Sequence, residues 1–331
     1  MAEKKKIGIV LFQLGGPENL QSVEPFLYNL FCDPDIINFP GAWLARKPLA
    51  KWISTRRSKI AQEHYAAIGG GSPIRVLTEQ QARALEEAVR PHVEAHAVVA
   101  MRYWHPLTAE AVSELHSLSL DEIVLLPLYP HYSFATTRSS QREWNRLYKP
   151  GSTPVRSVEQ FHDHPLYIAA VAEKIESVLA HIPRPSQVQL VFSAHGLPLS
   201  LIENGDPYPR QIEDTVDLVR QFGAWSNPHV LCYQSRVGRQ KWLEPSLTST
   251  IEKLAGQGVK RMLVIPVSFV TDHIETLHEI NLEAREEAEK LGVEEFLMMP
   301  ALNDSPKFIA CLADLVLQAV NVPSVMASAT F

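Results

Sequence analysis

Three things are scarce in this chain of 331 residues: cysteine, long apolar runs and surplus positive charge. Cys32, Cys232 and Cys311 are odd in number, far apart and in no paired metal-ligand spacing. That argues against a disulfide framework and a structural zinc site, and a reducing compartment fits best. No apolar stretch approaches the roughly 18 residues a spanning helix needs, so the chain is not expected to cross a membrane. Lys4-Lys5-Lys6 followed by Ile7 to Leu14 resembles a secretory leader only superficially. Its apolar run is short and ends in Gly15-Gly16-Pro17 without a small-residue cleavage pattern, so it reads as a first buried strand. Charged residues make up 21% and the formal net charge is -6, which gives no general attraction to phosphate backbones and argues against a nucleic-acid partner. Gly69-Gly70-Gly71-Ser72-Pro73 lacks the Gly-Lys-Ser/Thr ending of a phosphate loop.

What is present is enough apolar material, 46% of the residues, for two cores. Short apolar runs mark buried strands at Ile7–Leu14, Ala97–Arg102, Glu122–Leu128, Gln189–Ser193, His229–Tyr233, Arg261–Val267 and Phe296–Met299. Helical segments lie between most of them. Thr78 with Gln81 reads as a capping box ahead of Ala82–Val93, and Thr108 as the cap of a helix through Leu118. Pro165, Pro209 and Pro306 suit first helical turns, and Gly223, Gly256 and Gly292 suit helix ends. Strands alternating with helices predict an α/β protein with mainly parallel sheets. There is an internal echo: Asp121 to Pro127, with Tyr129 and Ser133 beyond, resembles Lys260 to Pro266, with Ser268 and Asp272 beyond. A second pairs Leu11–Pro17 with Val191–Pro198. A boundary near Ser157–Pro165 gives domains over 1–160 and 161–331, with a last helix over 305–320 that could pack back on the first. Binding sites in such sheets lie beyond the carboxyl ends of strands.

Those ends are where the unusual residues collect. Phe192-Ser193-Ala194-His195-Gly196-Leu197-Pro198 puts an imidazole at the end of a buried strand, where it could take a proton near neutral pH or bind a transition metal. Burial is expected to lower its pKa and keep the neutral form available. A turn histidine bonded to its own loop explains the position equally well. Further on, Thr271-Asp272-His273-Ile274-Glu275 opens a helix on which Glu275, Glu279 and Glu283 are spaced to form one row. Like charges in a row cost stability, which points to cations or protons as partners, although Asp272 with Glu275 also reads as an ordinary capping box. Asn204-Gly205-Asp206-Pro207-Tyr208-Pro209 reads as scaffold, a turn into a helix. Leu14, Tyr65, Tyr103, Trp104, Tyr129, Tyr132, Tyr233, Trp242 and Phe269 could wall a cleft for a flat apolar ligand, while Arg56, Arg57, Arg102 and Arg138 could meet its carboxylates.

With these segments in order, the chain resembles the ferrochelatases, which insert ferrous iron into a porphyrin in haem biosynthesis. The resemblance rests on Leu14-Gly-Gly-Pro17, Ile68–Ile74, Arg102-Tyr-Trp-His-Pro106, Leu128-Tyr-Pro130, Phe192–Pro198, Gly205–Pro209, Tyr233-Gln-Ser-Arg-Val-Gly238 and Thr271–Leu277, from about residue 7 to 320. It implies two similar doubly wound, Rossmann-like domains with parallel sheets and a porphyrin cleft between them. It implies His195 as the essential histidine and Glu275 as its partner carboxylate, both also candidate metal ligands. Glu279 and Glu283 then belong to an acidic proton or metal path that Asp272 and His273 adjoin. Leu14 would face the macrocycle, Arg56, Arg57, Tyr65 and Ser72 fall in the lip and propionate region, and Trp242 and Phe269 in the pocket wall. Arg102 and Tyr129 complete the expected porphyrin-binding set.

There are departures from the family pattern. Asn281 stands where aspartate is frequent, and three scattered cysteines do not supply the four of a [2Fe–2S] cluster. The expectation is therefore a bacterial-type enzyme without a cluster or other permanent cofactor, with Fe²⁺ as substrate. The short tail Val322–Phe331 lacks the extension that animal members use for dimerisation and membrane docking. Monomer and homodimer are both compatible with this, as is a cytoplasmic protein with peripheral membrane contact. Leu14-Gly-Gly-Pro17 and the segment Pro25–Arg57 look more like enzymes of protoporphyrin IX than of coproporphyrin III, which tend to carry tyrosine at the Leu14 position. Alternatives are a coproporphyrin III ferrochelatase, a related chelatase of early carboxylate-rich tetrapyrroles, and a non-catalytic haem or metal carrier, which would need no acidic row.

Overall fold

The computed structural model describes residues 4–34, 36, 42–149, 151, 153–235 and 240–323. Arg236-Val237-Gly238, part of the lip segment and most of the tail lie outside the described residues. The chain divides into two compact units, one of residues up to Tyr129, 133–160 and 308 onward, the other of 130–132 and 161–307.

The first unit carries β1 (Lys6–Gln13), α1 (Val23–Phe31), α2 (Ala42–Ala67), α3 (Ile74–Val89), β2 (Glu94–Met101), α4 (Thr108–His116), β3 (Glu122–Pro127), α5 (Thr137–Leu147) and β4 (Val155–Ser157). The second carries α6 (Pro165–Leu179), β5 (Gln189–His195), α7 (Leu199–Glu203), α8 (Tyr208–Gly223), β6 (His229–Gln234), α9 (Leu247–Gly256) and β7 (Arg261–Pro266). A π-helix (Glu275–Ala284) then runs into α10 (Arg285–Lys290) and β8 (Glu295–Met298), followed by α11 (Pro306–Ala319), which from Phe308 onward belongs to the first unit. Both sheets are parallel, in the orders β2-β1-β3-β4 and β6-β5-β7-β8. This is one order used twice, with the first strand of each unit inside the sheet and the second at its edge.

The strands read as unbroken apolar runs because both faces are covered. Ile9, Val10, Leu11 and Phe12 of β1 are fully buried, as are Val191, Phe192 and Ala194 of β5. In the first unit Val10 and Phe12 pack with Ala111, Leu115 and Trp144 of α4 and α5. In the second, Val191 and Val264 pack with Ile251, Ile280 and Phe296. Burying one such side chain contributes about 1.5–3 kcal/mol, and this is what holds the helices on the sheets. No helix among the described residues is long and apolar enough to cross a membrane.

The echo is structural, down to the register. Phe12 pairs with Pro127 in one sheet and Ser193 with Pro266 in the other. Leu128 N donates to Phe12 O, and Val267 N to Ser193 O. Likewise Met101 N donates to Pro106 O, and Tyr233 N to Pro245 O. Counting from these pairs, Leu14 occupies in the first unit the place that His195 occupies in the second.

Several local expectations change. α3 begins at Ile74, so Thr78 lies inside the helix with its hydroxyl donating to Ile74 O at 2.6 Å instead of capping it. α4 is capped from Leu107, whose N–H donates to Glu110 at 2.6 Å, and ends at His116. β4 was not expected: it is three residues long and exposed, so it carries no apolar signal.

The two glycine-rich loops of the first unit explain each other. A Cβ on Gly16 would lie 2.7 Å from Ser72 Cβ, and one on Gly71 would lie 2.3 Å from the Glu18 carbonyl oxygen. Backbone meets backbone there, and Ser72 N donates to Pro17 O at 2.7 Å. Gly71→Ala is therefore expected to cost at least about 2 kcal/mol, read as a fall of several degrees in the thermal midpoint. Gly256→Ala, at a helical position with no atom near the added carbon, should be neutral or slightly stabilising. Equal midpoints for the two variants would refute the close-packing account.

Candidate active site

His195 is the last residue of β5, and the site grows outward from it. β5 lies between β6 and β7, at the point where the connections leave the first strand in opposite directions and a crevice forms beyond the strand ends. The chain can turn there because residue 196 is glycine. A Cβ would sit 2.7 Å from the Gln234 carbonyl oxygen, to which Gly196 N donates at 2.8 Å.

Glu275, the first residue of the π-helix, reaches back so that its Oε2 lies 2.7 Å from His195 Nδ1. Nδ1–H donates to the carboxylate, which leaves Nε2 as the ring nitrogen without a partner among the described residues. The side chains are 33% and 15% exposed. Ser235 follows β6 with φ at 62°, a left-handed conformation that costs a non-glycine residue about a kcal/mol or more. That backbone sends its hydroxyl to Glu279, with Glu275 Oε2 at 3.5 Å. Two carboxylates and an imidazole thus share one partly buried line.

Their protonation follows from their mutual charges. Burial disfavours the imidazolium of His195, but the Glu275 carboxylate and then Glu279 outweigh it, so the pKa is raised above the ordinary histidine value. The expectation that burial would keep His195 neutral is therefore corrected. Burial likewise works against ionised Glu275, and the positive charge and hydrogen bond of His195 overcome it, down to about 2. Glu279 is left with burial and a neighbouring anion, which push its carboxyl up to about 7.

The rest of the expected path divides. Glu283 is exposed at 53% and lies 3.7 Å from His278 Nδ1, so the acidic row runs from the interior to the surface. Asp272 is occupied structurally: it accepts from Thr276 Oγ1 at 3.0 Å and Asn303 Nδ2 at 2.8 Å. Its partner is Thr276, not Glu275, so the expected capping box does not form. His273 is buried and donates Nδ1–H to Thr271 O at 3.0 Å. Phe269 stands between the two imidazoles, its ring centre 6.2 Å from that of His195 and 4.6 Å from that of His273. Trp242 pairs with Pro198 in an isolated bridge and lies beside Gly196.

Comparison with known proteins supplies the family. The profile of the family described as Ferrochelatase matches residues 6–320. The chain belongs to the ferrochelatase family. It is 47% identical over 326 residues to the ferrochelatase of Trichodesmium erythraeum (strain IMS101), covering 96% of this chain and 84% of that one. It is 48% identical over 326 residues to that of Synechococcus sp. (strain RCC307), covering 97% and 84%. Among solved structures, SirB from Bacillus subtilis with Fe³⁺ has the same fold, with a TM-score of 0.56 at 12% identity and 96% of each chain covered. The two-sheet architecture is thus one shared with SirB, and the chain is an enzyme of the ferrochelatase family.

The remaining expected ligand contacts lie in the first unit. Leu14 is half-buried at the end of β1, its N–H held by Gln13 Oε1 at 3.0 Å. Arg102 is committed to its own unit, 2.9 Å from both Asp33 Oδ2 and Ser139 Oγ. Its charge is met there before any ligand carboxylate arrives. Tyr65 is buried on α2, whereas Arg56 and Arg57 are exposed on it, over the rings of Trp52 and Phe31. Ser72 and Tyr129 are half-buried at their loop ends, and burial raises the Tyr129 phenol above its ordinary pKa. Ser235, Ser268 and Tyr208 were not among the expected site residues. All three touch the site, and the available signal was that each lies in a matched motif or in the echo.

Glu279 generates a pH-dependent prediction. A carboxyl whose folded pKa lies above its unfolded value costs stability once ionised, a cost that grows from about pH 4.5 and levels off above about pH 7. Glu279→Gln removes it. The variant's stability relative to wild type should rise by up to a few kcal/mol across that window, as measured by urea unfolding at a series of pH values. A gap independent of pH would contradict the raised carboxyl.

Proposed function

We propose that this protein inserts Fe²⁺ into protoporphyrin IX to give protohaem, with His195 as the base and Glu275 as its orienting carboxylate. The observation that carries the reading is the line from His195 Nε2 through Glu275 to Glu279 and exposed Glu283. Metal insertion must remove two pyrrole protons and strip water from a dication, so it needs a base and oxygen ligands together. Neutral His195 offers the Nε2 lone pair, because Nδ1–H stays on Glu275. Once Nε2 takes a proton, the imidazolium is stabilised by the same carboxylate. Glu279, with a pKa of about 7, can hold or release a proton under working conditions, and Glu283 continues the row to solvent. His195 and Glu275 are also the candidate donors for the incoming metal.

Protoporphyrin over coproporphyrin is supported by apolar Leu14 at the end of β1 and by the Arg102 cation being taken up internally by Asp33. Both features suit a ligand with fewer carboxylates. A carrier would have no use for an acidic row that raises one of its own carboxyls.

His195→Ala should lower Zn²⁺ or Fe²⁺ insertion by at least about 100-fold with the fold intact, read by porphyrin fluorescence. Glu275→Gln should lower kcat far more than it raises the porphyrin KM. It should also move the acid limb of the rate profile to lower pH, because the anion that raises His195 is gone. Wild-type turnover in the first variant would remove the base assignment.

Wild type should metallate protoporphyrin IX faster than coproporphyrin III in the same assay. The reverse order would reassign the substrate, and tight haem binding without metallation of either would favour the carrier.

A further inference from the structure

The Gly205-Asp206-Pro207-Tyr208-Pro209 segment is more elaborate than a turn into a helix requires. Gly205 takes φ at 91°, buried Asp206 accepts from Tyr208 N at 3.1 Å, and two prolines fix the path on either side of Tyr208. What this backbone delivers is a buried phenol. Tyr208 Oη donates to the carbonyl oxygen of His195 at 3.0 Å. On the other side of the same residue, His195 N donates to Ser268 Oγ at 2.9 Å. Ser268 and Tyr208 thus hold the two ends of one residue, the amide from beyond β7 and the carbonyl from the start of α8.

The directions of these bonds are dictated by chemistry. A carbonyl only accepts, so the single phenol proton goes to His195 O. Ser268 Oγ accepts from the His195 amide, so the two bonds grip His195 at both its N–H and its C=O. The phenol is held in turn: its ring packs edge-on to His131, 5.8 Å between centres, and His131 Nε2 bonds Thr215 Oγ1 of α8 at 2.9 Å.

We propose that Tyr208 and Ser268 are positioning residues for metal insertion, clamping the His195 peptide from both sides so that its ring is held on Glu275 with Nε2 free for substrate. This rests on the reading of His195 as the base. The imidazole turns about two bonds from that peptide, so a loose main chain swings Nε2 by a large part of an ångström. A misplacement of about 1 Å can cost about 100-fold in rate. The phenol stays protonated, its ionisation disfavoured by burial, so the clamp does not titrate with the site.

The test measures kcat and porphyrin KM for Zn²⁺ insertion in Tyr208→Phe, Ser268→Ala, their double variant, Ser268→Thr and His195→Ala. The expected result is a loss in kcat of about 10-fold or more in each single clamp variant with KM within about twofold. The double variant should lose less than the product of the two singles, because both bonds act on the same imidazole. Ser268→Thr, which keeps the hydroxyl, should recover most of the rate. Wild-type kcat in both single variants, losses that multiply in the double, or a change confined to KM would overturn the proposal. If His195→Ala is inactive while the clamp variants are normal, positioning fails alone; if His195→Ala is normal, the base assignment fails instead. Should Tyr208→Phe not fold, the Ser268 pair removes and restores one side of the clamp from a half-buried position.

Discussion

Everything in the second unit's site follows from one carboxylate–imidazole contact. His195 lowers the pKa of Glu275 to about 2 against its burial, and the carboxylate in turn raises the pKa of His195. Breaking such a pair on one side is far costlier than the pair is worth, since it strands the other charge. The cost is displaced onto the next residue. Glu279 shares Ser235 with Glu275 and cannot easily be a second anion there, so its carboxyl sits near neutrality. Three neighbouring titratable groups are thereby driven apart, Glu275 down to about 2, His195 upward and Glu279 up to about 7.

The two units place different chemistry on one backbone plan. Leu14 and His195 lie two residues beyond register-matched positions of β1 and β5, and Tyr129 and Ser268 lie two residues beyond the matched prolines. In the second unit Ser268 takes the amide proton of His195. In the first, the Leu14 amide is satisfied by its neighbour Gln13. The clamp therefore exists only where there is an imidazole to aim. The first unit spends its buried charge on tying Arg102 to Asp33 and Ser139, a fixed link within itself.

The fold was largely legible because parallel strands covered on both faces must be apolar, and seven such runs stand out in the sequence. β4 escaped because it is short and exposed. The start of α3 was misplaced because Thr78 mimics a cap while its hydroxyl bonds back to Ile74 within the helix. His195 was visible as an imidazole between a strand and a Gly-Pro turn. Its partner was visible too, but not their protonation: burial alone predicts a neutral ring, and only the 2.7 Å contact with Glu275 reverses the sign. Asp272 and Glu275 looked like a capping box because spacing cannot show Thr276 and Asn303, the latter 31 residues on, occupying Asp272.

The π-helix is the element that sequence periodicity could not distinguish, and its geometry bears on the row. Glu275, Glu279 and Glu283 at four-residue spacing suit the ridge of an α-helix, yet the segment from Glu275 to Ala284 is wound more widely. π-Helical segments are rare and concentrate at functional sites because wider winding is intrinsically less favourable. Something must hold it. Ile280 and Ala284 are buried in the second unit's core, which fixes one face. Ser235 and His195 hold the acidic residues on the other. The winding is thus a compromise between an apolar face that must reach the core and carboxylates that must reach a strand-end imidazole. Substitutions that satisfy one face at the expense of the other act on both stability and chemistry.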